Sequence, residues 1–131
     1  MHLKIITHEK VVFDSDVDEI YTKTVDGEVG ILKDHVPIIA ALDIGVTKAV
    51  TNNKPLFFTT MGGVLQFANE EALILTPTAE SGDEIDVVRA KDALARARAR
   101  LSDAEASLDA KRAEAAIARA LARLKATLNN G

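Results

Sequence analysis

The chain has 131 residues, enough for one domain of ordinary size or a small domain with an appendage, and too few for two full cores. Hydrophobic residues make up 47% and charged residues 27%, a composition typical of a folded chain, and the absence of cysteine excludes disulfides, thiol nucleophiles and thiolate metal sites. The longest apolar run, residues 36–42, is far shorter than the ~20 residues of a membrane-spanning helix, and residues 1–9 lack the apolar core of a signal peptide. We therefore expect a reducing, cytosolic-type compartment.

The net charge of −4 conceals two segments of opposite sign. Residues 1–85 contain six lysines, no arginine and 14 acidic residues, a net charge of −8. Residues 86–131 contain ten basic and six acidic residues, a net charge of +4, and they include all seven arginines. We expect the two segments to attract each other.

The first segment has the pattern of a β domain. It is rich in Val, Ile and Thr and is interrupted by turn-forming residues such as Asp26-Gly27, Ser81-Gly82 and the run at 61–63. Strands are predicted at residues 3–7, 11–13, 17–25, 28–32, 45–50, 56–60, 64–68 and 72–76. Short strands with no helices between them predict an antiparallel β-sandwich or barrel.

The second segment has the pattern of helices. No Gly or Pro occurs between Asp86 and Gly131, and Ala fills 15 of the 40 positions in 89–128. Two apolar stripes are out of phase with each other, one formed by Val87, Leu94, Leu101 and Leu108 and the other by Ile117, Leu121, Leu124 and Leu128. Because residues 102–109 include Ser and Asp, which favour caps and turns, we predict two helices joined within 103–110, with one long helix as the alternative. The predicted fold is α+β, an N-terminal antiparallel β-sandwich at 1–85 followed by an antiparallel two-helix hairpin at 86–131.

The motifs of common enzyme classes are absent from the sequence. There is no phosphate-binding Gly-x-x-x-x-Gly-Lys-Ser/Thr loop, no Gly-x-Gly-x-x-Gly and no Gly-x-Ser-x-Gly. His2, His8 and His35 have no metal-ligand spacing with one another. We therefore predict neither catalytic residues nor a metal site. A small hydrolase is an alternative that would require turnover of ATP by the isolated chain.

Arginines on the predicted helices are the remaining candidates for binding. Arg89 and Arg96 are seven residues apart, and Arg119 and Arg123 are four apart, so each couple shares a helix face. In an antiparallel pair the couples can converge, and a polyanion or a partner's carboxylates would relieve the repulsion among them. Spacing alone favours solubilising surface residues instead. Asp86, just before the helical pattern, is a predicted N-cap.

A different class of function is an interaction module whose basic helices bind nucleic acid. The ten basic residues of 86–131 suggest it. However, six acidic residues are interleaved with them, and the helical segment contains no aromatic residue on which a base could stack.

Several segments resemble the epsilon subunit of F-type ATP synthases. Segment 27–37 (GEVGILKDHVP) is similar to that family's Gly-x-x-Gly-x-Leu-Pro-Gly-His-Ala-Pro, and segment 62–67 (GGVLQF) is similar to a second signature. Ala79-Glu80 precedes segment 85–90 (IDVVRA), which matches the family's Ile-Asp-x-x-Arg-Ala ATP-binding motif at every fixed position. The resemblance covers the whole chain in order. The chain departs from the family at Lys33-Asp34, where the family usually has Pro-Gly. Asp tolerates a left-handed backbone less well than Gly, so the resemblance does not fix the shape of this loop.

The resemblance implies a non-catalytic subunit of the central stalk. The sandwich would dock on the gamma subunit and the c-ring and help to couple proton-driven rotation to ATP synthesis, with Glu28 and the loop through His35 as the contact. A loop-shaping hydrogen bond is the alternative role for His35. The chain would lie at the cytoplasmic face of a bacterial plasma membrane and associate with the membrane only through the complex.

The resemblance also implies that the hairpin is a mobile regulatory arm. It would lie folded on the sandwich or extend along gamma into the catalytic alpha and beta subunits, where it inhibits ATP hydrolysis. ATP would be a regulatory ligand of the folded form, with no catalytic cofactor. By motif position, Glu80, Ile85, Asp86 and Ala90 would lie on the adenine side, and Arg89, Arg119 and Arg123 on the phosphate side. An Ala-rich helix surface buries little area, so the packing of the folded hairpin should be weak. Arg119→Ala or Arg123→Ala should weaken ATP binding at least tenfold.

Overall fold

The computed structural model describes residues 1–103 and 107–128. Within these residues the strands are β1 His2–Ile6, β2 Val11–Asp16, β3 Glu19–Thr24, β4 Gly27–Ile31, β5 Ile38–Thr51, β6 Lys54–Ala68, β7 Glu71–Leu75 and β8 Ala79–Ser81. A short 3-10 turn, Gly82–Glu84, leads to the helices α1 Val87–Ser102 and α2 Ser107–Leu128. The predicted α+β fold, a sandwich followed by two helices, is confirmed.

The strands follow the order β2-β1-β7-β6-β5-β3-β4, and β8 pairs with β6. Neighbouring strands are antiparallel except β1 and β7, which are parallel, a pairing that the predicted antiparallel sandwich did not include. Apolar side chains from both ends of this strand order share one core, so the sheet is folded over on itself. The core side chains with no exposed surface are Leu3, Ile5, Ile20, Ile31, Leu65 and Ile74.

Two glycines that were predicted to form a turn lie inside a strand. The prediction of separate strands at 56–60 and 64–68 is wrong, because β6 continues through Gly62 and Gly63 with positive φ angles of 82° and 108°. A Cβ on Gly63 would lie 2.0 Å from the carbonyl oxygen of Leu75, so only glycine permits this approach to the end of β7. On either side of the glycines β6 pairs with a different strand, β8 before them and β7 after them. Likewise β5 begins at Ile38, earlier than the predicted 45, and β8 was not predicted.

Threonine hydroxyls are hydrogen-bonded to one another in the sandwich interior. The Oγ1 atom of Thr47 lies 2.7 Å from that of Thr22 and 3.1 Å from that of Thr60, and all three residues are fully or almost fully buried. Because each hydroxyl has a partner, the core contains these polar groups without the cost of an unsatisfied donor.

The first strand is joined to edge strand β2 by an imidazole between two carboxylates. The His2 Nδ1 atom lies 2.8 Å from Oδ1 of Asp16, and Nε2 contacts Oδ1 of Asp14. These hydrogen bonds to Asp16 and then Asp14 raise the pKa of His2 above its ordinary value of 6.5.

The two helices are separate and antiparallel, as predicted. Helix α1 ends at Ser102 and α2 begins at Ser107, and residues 104–106, within the predicted break, lie outside the described residues. The start of α1 lines a cavity with Arg123, late in α2, whereas the end of α1 lines another cavity with the start of α2.

Alanine occupies most of the buried positions of the hairpin. Helix α1 buries Ala90, Leu94 and Ala97, and the part of α2 whose side chains are described, 108–127, buries Ala113, Ala120, Ala122 and Ala126. The predicted leucine stripes are only partly buried, since Leu108 is 57% and Leu121 45% exposed. Helix α2 packs on β5 and β6, so this helix forms most of the contact between the hairpin and the sandwich.

Candidate anion-binding site

A cavity of about 320 Å³ lies where the sandwich passes into α1. This volume is at the lower end of the range typical of small-molecule sites, roughly 300 to 1,000 Å³. We call it the junction cavity, and its lining residues are Glu80, Glu84, Ile85, Asp86, Arg89, Ala90, Ala93, Arg96 and Arg123.

The junction cavity contains most of the residues that the motif implied for ATP. Of the seven, the six that line it are Glu80, Ile85, Asp86, Arg89, Ala90 and Arg123. Arg96 also lines it, although it was not among the seven. Arg96 is seven residues from Arg89, so the two share a helix face. This spacing is the sequence signal from which Arg96 could have been predicted as a site residue. Arginines from both helices therefore line one cavity.

Arg119 lies elsewhere, although it shares a helix face with Arg123. It lines a second cavity of about 730 Å³, which we call the tip cavity, together with Arg100 and Arg112 and the carboxylates of Asp103 and Asp109. The other lining residues are alanines of the two helices, so both walls of the tip cavity belong to the hairpin. The ion pair between Arg112 and Asp109 there has an N–O distance of 4.0 Å, and both side chains are largely exposed, so it adds little stability.

An ion pair in the junction cavity joins the hairpin to the sandwich. Nε of Arg123 donates a hydrogen bond to Oε1 of Glu80 over 2.8 Å, and the two side chains are 31% and 37% exposed. The backbone N–H of Glu80 in turn donates to Oγ1 of Thr59, 3.0 Å away on β6 and fully buried. The basic helix and the acidic sandwich thus meet here through a charge-assisted hydrogen bond, as their opposite charges predicted.

The predicted capping role of Asp86 is confirmed. Its Oδ1 accepts a hydrogen bond from the backbone N–H of Arg89 over 3.1 Å, which satisfies one of the free donors at the start of α1. The N-terminus of a helix carries partial positive charge, so α1 and the three arginines both favour an anion in the cavity. Three carboxylates also line the cavity, those of Glu80, Glu84 and Asp86, and their formal charge balances the arginines.

The residues predicted to contact other subunits lie in different surroundings. Glu28, exposed on β4, lines a groove of about 230 Å³ between the sandwich and α2, with Leu121 and Lys125 on the helix side. The His35 ring meets the Phe67 ring edge-on, with centroids 6.0 Å apart, and its Nδ1 lies 2.6 Å from the carbonyl oxygen of Val36. These contacts match the loop-shaping alternative for His35.

The loop that contains His35 exposes apolar side chains as well as the charged residues Lys33 and Asp34. Val36 is 70% exposed, Ile39 at the start of β5 is 77% exposed, and Leu32 is also exposed. We call these three residues the loop patch. Asp34 in this loop has a φ of 67°, so it adopts the left-handed conformation for which the family has glycine.

Neither a metal site nor a membrane-spanning helix is found in the described residues, 1–103 and 107–128. No cluster of three or more His, Cys, Asp or Glu side chains there has an arrangement that could hold a metal ion. No helix in the same part of the chain is long and apolar enough to cross a membrane.

The fold defines a class of proteins in which a β-sandwich is followed by a C-terminal pair of helices. The model of the ATP synthase delta/epsilon chain β-sandwich domain matches residues 1–82, and that of the delta/epsilon chain long α-helix domain matches residues 83–127. The chain therefore belongs to the delta/epsilon family of ATP synthase subunits, as an epsilon chain.

Curated relatives and solved structures agree with this assignment. The ATP synthase epsilon chain of Carboxydothermus hydrogenoformans is 43% identical over 100 residues, which is 76% of this chain and 75% of the relative. The chloroplastic epsilon chain of Morus indica is 39% identical over 105 residues, 80% of this chain and 79% of the relative. A chain of the mitochondrial ATP synthase of Euglena gracilis has the same fold, with a TM-score of 0.83 at 24% identity over 96% of this chain and 79% of that chain. The predicted family is confirmed, and the nucleic-acid alternative has no support.

Proposed function

We propose that this chain is the non-catalytic epsilon subunit of the central stalk of a proton-translocating F-type ATP synthase. In this proposal the sandwich docks on the gamma subunit and the c-ring and helps to couple rotation to ATP synthesis. The observation that carries it is that both parts of the chain match the delta/epsilon family, in order and over residues 1–127. A further support is a matching chain from a Tetrahymena thermophila structure described as the central stalk and c-ring, with a TM-score of 0.66 at 18% identity over 97% of this chain and 96% of that chain. The chain would then lie at the cytoplasmic face of a bacterial plasma membrane, held there by the complex.

The loop patch is the surface that best fits such docking. Exposed apolar side chains grouped around one loop are typical of protein contact sites, and Leu32, Val36 and Ile39 are all exposed here. Replacing Ile39 by Lys is expected to reduce retention of the chain in the purified complex. The matched control is Val25→Lys, at an exposed apolar position outside the loop patch. Equal retention of both variants would contradict this part of the proposal.

We further propose that ATP is a regulatory ligand of the junction cavity. The cavity is of suitable size, and Arg89 and Arg96 from α1 face it together with Arg123 from α2. A triphosphate offers several acceptors for bidentate guanidinium hydrogen bonds, so one ligand can bridge both helices and hold the hairpin closed. The proposal is binding without hydrolysis.

The packing of the hairpin is consistent with two states of similar free energy. Over residues 108–127 the fully buried side chains of α2 are alanines, and each buried methyl contributes only about 0.8 kcal/mol, whereas a buried leucine contributes up to ~3 kcal/mol. A helix held mainly by alanines and a few polar contacts can be released when a partner offers comparable contacts. In the proposal, the released basic hairpin extends along gamma to the catalytic alpha and beta subunits and inhibits ATP hydrolysis.

The test is an ATP titration of the isolated full-length chain with a distance readout. The chain has no cysteine, so spin labels can be introduced at Lys54→Cys on the sandwich and Arg98→Cys on α1, both at exposed positions. ATP is expected to narrow the distribution of distances between the labels to the docked value, with no release of phosphate. If saturating ATP leaves this distribution unchanged and calorimetry shows no heat of binding, the regulatory proposal fails and only the docking function remains.

A further inference from the structure

The pair between Glu80 and Arg123 occupies the Nε edge of this guanidinium, where a phosphate can also bind. Oε1 of Glu80 accepts the hydrogen bond from Nε of Arg123. A phosphate that approaches along the Nε edge of the guanidinium needs the same donor, so it must displace the carboxylate. The contact is therefore a competition for one donor group.

The backbone of Glu80 is fixed to the sandwich. Strand β8 pairs with β6 so that Glu80 lies opposite Thr59, and Oγ1 of Thr59 accepts the Glu80 N–H. Arg123, by contrast, belongs to the helix that packs on β5 and β6. The ion pair thus joins helix α2 to strand β8 of the sandwich.

Among the described residues, Glu80 forms an ion pair with an arginine of the junction cavity, and the other two carboxylates of the cavity do not. Asp86 accepts the backbone N–H of Arg89 and acts as a helix cap. Glu84 lines the cavity but forms no ion pair within the described ranges 1–103 and 107–128. Removal of Glu80 therefore changes both the charge of the cavity and the partner of Arg123, whereas removal of Glu84 changes the charge alone.

We propose that Glu80 is a built-in competitor of phosphate for Arg123 and, through the same bond, a clasp that holds α2 on the sandwich. Binding of an anion exchanges the partner of Arg123, from a carboxylate fixed to the sandwich to a phosphate shared with the arginines of α1. The affinity of the cavity for phosphate is thereby kept lower than three arginines at a helix N-terminus would give. The competition with ATP rests on the proposed function, but the clasp does not.

Inorganic tripolyphosphate is the probe of choice, because it has the phosphate chain of ATP and no base that could contact Glu80. Calorimetry on the full-length chain would compare Glu80→Gln with the matched control Glu84→Gln at one ionic strength. Glu80→Gln is expected to bind tripolyphosphate about two- to fivefold more tightly than the parent chain, because a partly exposed ion pair is no longer broken. Glu84→Gln is expected to change the affinity less than about twofold, since it alters only the local potential.

The labels at Lys54→Cys and Arg98→Cys supply the second readout, without added anion. Glu80→Gln is expected to broaden the distance distribution toward undocked hairpins, and Glu84→Gln to leave it like that of the parent. Equal affinity gains in both variants, or a docked hairpin in Glu80→Gln, would overturn the proposal. If no variant binds tripolyphosphate or ATP, the nucleotide function fails, and undocking specific to Glu80→Gln would still support the clasp.

Discussion

The replacement of Arg123 by Ala tests which arginine of α2 serves the junction cavity. The sequence motif treated Arg119 and Arg123 alike, and both were expected to matter at least tenfold. The structure separates them, because Arg123 lines the junction cavity and Arg119 lines the tip cavity. The two substitutions are closely matched, since each replaces an arginine by alanine on the same face of the same helix, four residues apart.

The expected magnitude follows from the contacts of Arg123. A hydrogen bond from a guanidinium to a phosphate is worth about 1.5–3 kcal/mol. Before ATP binds, Arg123 is paired with Glu80, and an ion pair about one third exposed is worth roughly 0.2–1 kcal/mol. That pair must be given up on binding, so the net loss on substitution is about 0.5–3 kcal/mol, or about two- to hundredfold in affinity.

Calorimetric titration of ATP into the parent chain and both variants measures this difference. Arg123→Ala is expected to fall in the range above, and Arg119→Ala to weaken binding less than about threefold, through long-range charge alone. Circular dichroism would show whether both variants keep their helix content. A loss for Arg119→Ala that equals or exceeds the loss for Arg123→Ala would refute the reasoning, because the phosphates would then lie nearer the tip cavity.

Three further substitutions test other parts of the structure. The pKa of His2 is raised in the folded chain, so its stabilising effect is full below its ordinary pKa of 6.5 and is lost as the pH rises through the raised value. His2→Asn should therefore lower the free energy of unfolding in urea at about pH 6 and leave it unchanged at about pH 9, whereas a pH-independent loss would point to packing. Gly63→Ala is expected to lower the free energy of unfolding by at least ~3 kcal/mol, because the added Cβ meets a carbonyl oxygen at 2.0 Å. The control Gly27→Ala, at a φ of 120° with open space around it, should lower it by only about 1–2 kcal/mol in thermal unfolding. Asp86→Ala should cost about 1 kcal/mol of stability, largely restored by Asp86→Ser, and an unchanged ATP affinity would assign Asp86 to capping alone.

The competition at Arg123 gives the proposed switch a simple physical form. A carboxylate on the sandwich and a phosphate in the cavity are alternative partners of one guanidinium, so the hairpin can be held closed in two ways. When neither the carboxylate nor a phosphate binds Arg123 strongly, the alanine surface of α2 contributes little to docking. Release of the hairpin from the sandwich then needs only a few kcal/mol of contacts with a partner. The affinity for ATP then depends on the strength of the Glu80 pair as much as on the number of arginines.

Much of the fold could be predicted from local sequence. The change from Val, Ile and Thr with frequent turns to Ala without Gly or Pro marks a β segment followed by helices, because these preferences act within a few residues. The N-cap at Asp86 could be predicted for the same reason, since its partner N–H is three residues away. Five of the predicted site residues lie within 80–90, where the chain itself keeps them close together.

Long-range pairing could not be predicted in the same way. The parallel contact of β1 with β7 joins residues about 70 positions apart, and no local pattern specifies it. The continuation of β6 through Gly62 and Gly63 depends on how closely Leu75 approaches, whereas locally two glycines favour a turn.

The sequence by itself determined which residues could share a helix face, and it set the charges of the two segments and the capped start of α1. Only the tertiary structure decided that Arg123 and Arg96 join Arg89 in one cavity while Arg119 faces another. Spacing along a helix sets the direction of a side chain, but the axial position of one helix against another depends on contacts between distant residues. In this hairpin most of the buried positions are alanines, which are too alike for the sequence to show how the helices align.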